Sequence, residues 1–188
     1  MAKTTHYSWV RPPPLSRQEQ TRKHNVVILI AIGANLPTAD GRHPRATCRA
    51  AVEALRSLPG LTLAAVSPWH TTPPDPPPVP PDSQPDYCNG VARLEGRADP
   101  AWLLARLHAI EAAAGRHRTV PNAARTLDLD IIAIDDLLRD APDPILPHPR
   151  AHLRRFVLAP LAQVAPHWRH PRLGLGVGQL LAQLPPPA

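Results

Sequence analysis

The chain has 188 residues, 43% of them hydrophobic, which suffices to fill the core of one globular domain. No stretch approaches the roughly 18 consecutive apolar residues of a membrane helix, and the first residues lack the apolar run of a secretion signal, so a cytoplasmic protein with no membrane partner is expected. The net charge of +6 points to a polyanionic partner, either nucleic acid or a small phosphorylated ligand, while the two cysteines, Cys48 and Cys88, lack metal-ligand spacing and argue against a disulfide framework or a zinc site.

Residues 1–24 are polar, basic and broken by prolines, and are expected to form a disordered arm ahead of a single domain spanning 25–188. Val26 to Ile32 is short, β-branched and stopped by Gly33, the pattern of a buried central strand; Asn35, just beyond, reads as a strand-end or turn residue rather than a ligand. From His43 to Leu58 the apolar positions recur at helical spacing, and Pro59-Gly60 ends the run. A second strand is predicted from Leu61 to about Thr71. Eight prolines between Pro73 and Pro85 forbid a helix or a central strand, so this stretch is expected to be a long, semi-rigid surface loop.

Tyr87 to Glu95 alternates as a third strand. Asp99-Pro100 then supplies an N-cap and a first-turn proline for a helix reaching about Ala114, with Leu103, Leu104, Leu107 and Ile110 as its inner stripe. A basic loop from Arg116 to Thr126 leads into a fourth strand, Leu127 to Ile134. An apolar segment from Phe156 to Leu161 and a short helix around Val177 to Leu184 complete the chain. The order β-α-β-β-α-β predicts an α+β fold of ferredoxin-like type, an antiparallel sheet with helices packed on it, plus C-terminal additions.

The sharpest chemical signal is Arg125-Thr126-Leu127-Asp128-Leu129-Asp130-Ile131. On a strand, residues two apart share a face, so Asp128 and Asp130 project together while Leu127, Leu129 and Ile131 point the other way. Two adjacent carboxylates repel unless a cation lies between them, and an oxygen-rich pair suits Mg²⁺ bound together with substrate phosphates. Arg116, His117, Arg118 and Arg125 stand just ahead of the pair, and guanidinium forks bind phosphate oxygens bidentately. No GxxxxGK[ST] is present, so phosphate binding would rest on arginine and metal rather than a P-loop.

Five blocks in order, Ala31 to Leu36, Gln84 to Asn89, Arg125 to Asp130, Pro147-His148-Pro149-Arg150 and Arg154 to Leu158, resemble the 6-hydroxymethyl-7,8-dihydropterin pyrophosphokinases of folate biosynthesis. The resemblance covers about Val26 to Pro171. It implies an ATP-dependent diphosphotransferase that moves the terminal pyrophosphoryl group of ATP to the pterin hydroxymethyl oxygen and releases AMP. It further implies two Mg²⁺ ions on Asp128 and Asp130, and catalytic roles for Arg116 and Arg125. On the same basis, Thr72, Pro73, Pro74, Tyr87, Asn89 and Phe156 match the pterin site, with Phe156 stacking on the ring. His108, Glu111, Arg116, Arg118, Arg125, Ile131, His148 and Arg154 match the ATP site. ATP and the pterin are the implied partners of a monomer, with contacts to other folate-pathway enzymes possible and nucleic acid excluded. The sequence departs from the family where Val120 to Ala124 replaces a customary Arg-Trp-Gly-Pro.

Two rival readings are weighed against this one. A ferredoxin-like RNA-binding module shares the element order and the basic surface, but needs exposed rings on its central strands, and Val26 to Ile32 has none. A catalytically silent paralogue that binds pterin or nucleotide is separated only by turnover.

Overall fold

The computed structural model describes residues 26–77, 80, 83–116 and 124–186. The predicted N-terminal arm, Arg118 and part of the proline-rich stretch lie outside the described residues. The elements in chain order are β1 (Val27–Ala34), α1 (Pro44–Arg56), β2 (Leu61–Val66), β3 (His70–Thr72), β4 (Tyr87–Gly96), α2 (Pro100–Ala113), β5 (Asp128–Ile134), α3 (Arg155–Val164) and α4 (Val177–Ala182). The strands form one antiparallel sheet in the order β2-β4-β1-β5, with β3 paired to β4. This is the ferredoxin-like arrangement expected from the element order.

Local chemistry accounts for the helix starts. The Asp99 side chain accepts from the Trp102 amide at 2.7 Å, and Pro100 follows at a position where a missing N–H costs nothing. At α1 the cap is His43, whose Nδ1 accepts from the Arg45 amide at 3.3 Å. On α2, Leu104 is only partly buried and Trp102 takes its place against the core.

The predicted second strand is two strands, because the chain leaves the sheet at Ser67-Pro68-Trp69 and returns at His70. Ser67 keeps the break bonded: its hydroxyl accepts from the Val91 amide at 3.0 Å. Gly90 makes room for the turn, since a Cβ there would lie 2.8 Å from the Trp69 ring.

Strand β1 explains where the site lies. Its even-numbered residues, Ile28, Ile30, Ile32 and Ala34, join the core beneath α1 and α2. Its odd-numbered residues, Val27, Leu29, Ala31 and Gly33, face the opposite layer, and from Leu29 onward they shrink to a methyl group and then to nothing. At the large end, Leu29 packs with Val91 and Ile132 against Val157, Leu158 and Leu161 of α3 and Val177 and Leu180 of α4. The apolar segment predicted at Phe156 to Leu161 is therefore helical, and this layer covers the second face of the sheet. At the small end, half-buried Ala31 borders this layer, and Gly33 lies under the Asn89 side chain rather than under a helix. No helix among the described residues is long and apolar enough to cross a membrane.

Candidate active site

Over that small end, strand register places the candidate residues side by side. Gly33 pairs with Asn89 on β4 and with Asp128 on β5, and Ala31 pairs with Val91 and Asp130. The amide of Asn89 and the two carboxylates therefore share one face of three neighbouring strands. Asn89 is buried and donates through Nδ2 to the Thr72 hydroxyl at 2.8 Å. Its Oδ1 stands directly over Gly33, 2.8 Å from where a Cβ would be. Thr72, half-buried Pro74 and exposed Pro73 form the adjoining margin, where Asp75 comes near enough to act on the charge of Arg154.

Asp128 is held by two arginines. Its Oδ1 accepts from Arg116 Nη1 at 2.5 Å and its Oδ2 from Arg125 Nη1 at 2.6 Å. Arg116 is paired in turn with Glu111, one of the most buried charged residues among those described, at 1% exposure. The same Glu111 carboxylate accepts from the Leu129 amide at 2.8 Å, so it ties α2 to the outer edge of β5. Asp130 is the more open carboxylate, 44% exposed against 22% for Asp128, and its Oδ2 lies 3.9 Å from His148 Nε2.

The loss of solvation beside protein, together with the charge of Asp128, raises the Asp130 carboxyl above its ordinary value, against the pull of His148, Arg116 and Arg154. Burial, with Arg154 and Arg150 nearby, lowers His148 despite the attraction of Asp130. Burial also raises the Tyr87 phenol, opposed first by the Arg125 cation.

Half-buried Phe156, at the start of α3, lies under the Arg154 guanidinium at 5.4 Å from the ring centroid, which leaves the aromatic and the cation side by side. His108 is half-buried on α2, one turn ahead of Glu111. The Ile131 side chain is 3% exposed and belongs to the core under α1 and α2. Because β5 is an edge strand whose Leu129 amide points outward to Glu111, the main chain two residues on, at Ile131, lies on the same outer edge.

No group of three or more His, Cys, Asp or Glu side chains able to enclose a metal occurs among the described residues. The donor set is two carboxylates on one strand face. It fits Mg²⁺, which takes one or two carboxylates and completes its shell with water and substrate phosphate; it does not fit a closed zinc site.

Two residues at the site carry no chemical motif in the sequence: Gly33, whose missing side chain lets Asn89 close over the sheet, and the buried Asn35, which bonds both Pro85 and Arg125. A glycine inside an otherwise β-branched strand was the available signal for the first.

Known proteins resemble this chain over most of its length. The family model described as 7,8-dihydro-6-hydroxymethylpterin-pyrophosphokinase matches residues 29–166. A Pseudomonas aeruginosa protein named 2-amino-4-hydroxy-6-hydroxymethyldihydropteridine pyrophosphokinase is 40% identical over 158 residues, covering 84% of this chain and 91% of that protein. A Synechocystis protein of the same name is 35% identical over 157 residues, covering 83% and 75%. Folic acid synthesis protein fol1 of Schizosaccharomyces pombe is 29% identical over 171 residues, which are 91% of this chain and 22% of that longer protein. With the family match over most of the chain, these relatives and the antiparallel α+β sheet, the chain belongs to the 7,8-dihydro-6-hydroxymethylpterin-pyrophosphokinase family and is an enzyme of the pyrophosphokinase class.

Proposed function

We propose that this enzyme transfers the terminal pyrophosphoryl group of ATP to the hydroxymethyl oxygen of 6-hydroxymethyl-7,8-dihydropterin and releases AMP, with Asp128 and Asp130 holding two Mg²⁺ ions. The observation that carries the reading is the row Asn89–Gly33–Asp128: it sets a buried amide beside a carboxylate pair on one face of the sheet, flanked by two arginines. A flat heteroaromatic alcohol and a metal-bound polyphosphate would meet across that row.

Asn89, its carboxamide fixed by Thr72, would read the hydrogen-bonding edge of the pterin, and Tyr87 and Phe156 would supply apolar contact to its faces. Arg116 and Arg125 neutralise Asp128 in the ligand-free enzyme and would turn to phosphate oxygens when the metal takes the carboxylate. Arg154 and His148 act on the charge of Asp130 and would meet the nucleotide there, and a contact from Ile131 would use its main chain. Mg²⁺, when bound, supplies charge neutralisation along the triphosphate and polarisation of the attacking hydroxyl. No general base is assigned. Positioning and electrostatics carry the rate, as in other phosphoryl transfers.

Incubation of the protein with ATP, Mg²⁺ and the hydroxymethyl-dihydropterin, followed by chromatography, tests the reading. AMP and a pyrophosphorylated pterin are expected in equal amounts. Formation of ADP, or AMP formation unaffected by Asp130→Ala, would overturn it.

A further inference from the structure

Asn35 is 2% exposed and lies at the end of β1, two residues past Gly33. Its main-chain amide and that of Leu36 both donate to the Arg125 carbonyl, at 3.0 and 3.1 Å. Its side-chain Oδ1 accepts from the Arg125 amide at 2.8 Å, and its Nδ2 donates to the Pro85 carbonyl at 3.0 Å. One carboxamide thus uses its acceptor on one loop and its donor on another, far apart in sequence. Pro85 lies two residues before Tyr87, and Arg125 grips Asp128 through its guanidinium and also acts on the Tyr87 phenol. The contacts form a closed circuit: Asn35 to Pro85, along the chain to Tyr87, across to Arg125 and back to Asn35.

We infer that Asn35 is a positioning residue for the reaction: through this bridge it sets the Arg125 guanidinium and the Tyr87 segment relative to each other, without touching either substrate. The inference rests on the reaction proposed above. Both hydrogen-bonding functions are needed, because a buried amide that loses either partner leaves a polar group unpaired. A hydroxyl offers a single oxygen where the carboxamide sets an acceptor and a donor on two separate atoms, and a carboxylate cannot donate. Since β1 is anchored by its fully buried isoleucines, loss of the bridge would loosen the two loops while leaving the sheet intact.

Two measurements test this. In amide hydrogen exchange of the full-length protein, Asn35→Ser should speed exchange in segments 83–87 and 124–127 together and leave 27–32 at the parent rate. Loosening of 27–32 to the same extent, or a change in only one of the two loops, overturns the inference. In steady-state kinetics, misplacement of a phosphate-side arginine is expected to cost Asn35→Ser about tenfold to a hundredfold in kcat. In an Arg125→Lys background, the same change should cost less than about threefold, because the group being positioned is already altered. An equal loss in both backgrounds overturns the inference.

Should Asn35→Ser not fold, Asn35→Asp preserves the shape and the acceptor for Arg125 and sets an oxygen against the Pro85 carbonyl. That variant should loosen 83–87 alone and raise the KM for the pterin; unchanged exchange in 83–87 overturns the inference. A parent enzyme that forms no AMP refutes the proposed reaction, while the exchange measurements still decide the role of Asn35.

Discussion

Glu111 offers the most direct test of how the site is held together. It is 1% exposed, and a single carboxylate oxygen meets both the Leu129 amide, at 2.8 Å, and the Arg116 guanidinium. Glu111→Ala strands the Leu129 amide, which alone costs about 1–3 kcal/mol, and removes a charged hydrogen bond worth about 1.5–3 kcal/mol. Breaking a buried pair by deleting one partner costs roughly 3–5 kcal/mol, and Arg116 keeps Asp128, so we expect a total of about 4 kcal/mol. For a chain of this size that is a fall in Tm of roughly 8–16 °C.

Glu111→Gln preserves an acceptor for Leu129 and should lose only about 1–2 kcal/mol. It frees Arg116 to bind Asp128 more firmly, so the Mg²⁺ concentration for half-maximal turnover should rise. Urea unfolding of both variants, with calorimetry, makes the measurement. A loss below about 1 kcal/mol in Glu111→Ala would refute the reasoning, because a Leu129 amide left without an acceptor costs at least that much by itself.

Three further outcomes are expected. Gly33→Ala places a Cβ 2.8 Å from Asn89 Oδ1; the side chain must yield, so the KM for the pterin should rise about tenfold or more while the KM for ATP stays within about threefold. Asp130→Asn should reduce kcat/KM by about 100-fold or more through lost charge stabilisation. Because the folded protein raises the Asp130 carboxyl, its stabilising contribution is present below 3.8 and is lost as pH rises through the raised value. The same variant should therefore increase the Tm of the metal-free protein at neutral pH and leave it unchanged in acid, as a pH series of thermal melts would record.

His170 acts with the opposite sign. It is 3% exposed, its Nδ1 accepts from the Arg172 and Leu173 amides at 3.3 Å each, and burial, with His152 and Arg172 nearby, lowers it from 6.5. Its contribution is present above 6.5 and lost as pH falls through the depressed value, so His170→Gln should flatten the decline in Tm on the acid side of 6.5.

The element order, the helix caps at Asp99-Pro100 and the edge pair Asp128 and Asp130 were all legible in the sequence, because each depends on residues within one or two turns or strand steps of one another. Strand periodicity alone puts two carboxylates on one face. The ordered blocks from Ala31 to Leu158 added the family. Contacts between residues far apart in sequence were not legible. Asn35 looked like a strand end because its partners, Pro85 and Arg125, lie 50 and 90 residues away. Gly33 looked like a stop signal until the register put Asn89 over it. Ile131 matched a nucleotide position by motif, while its side chain belongs to the core and only its main chain meets the open edge. Sequence determined which chemical groups the chain carries and how each short segment folds; the antiparallel register and the shrinking row Leu29, Ala31, Gly33 decided which of them share a surface, because only strand pairing converts position along the chain into distance across a sheet.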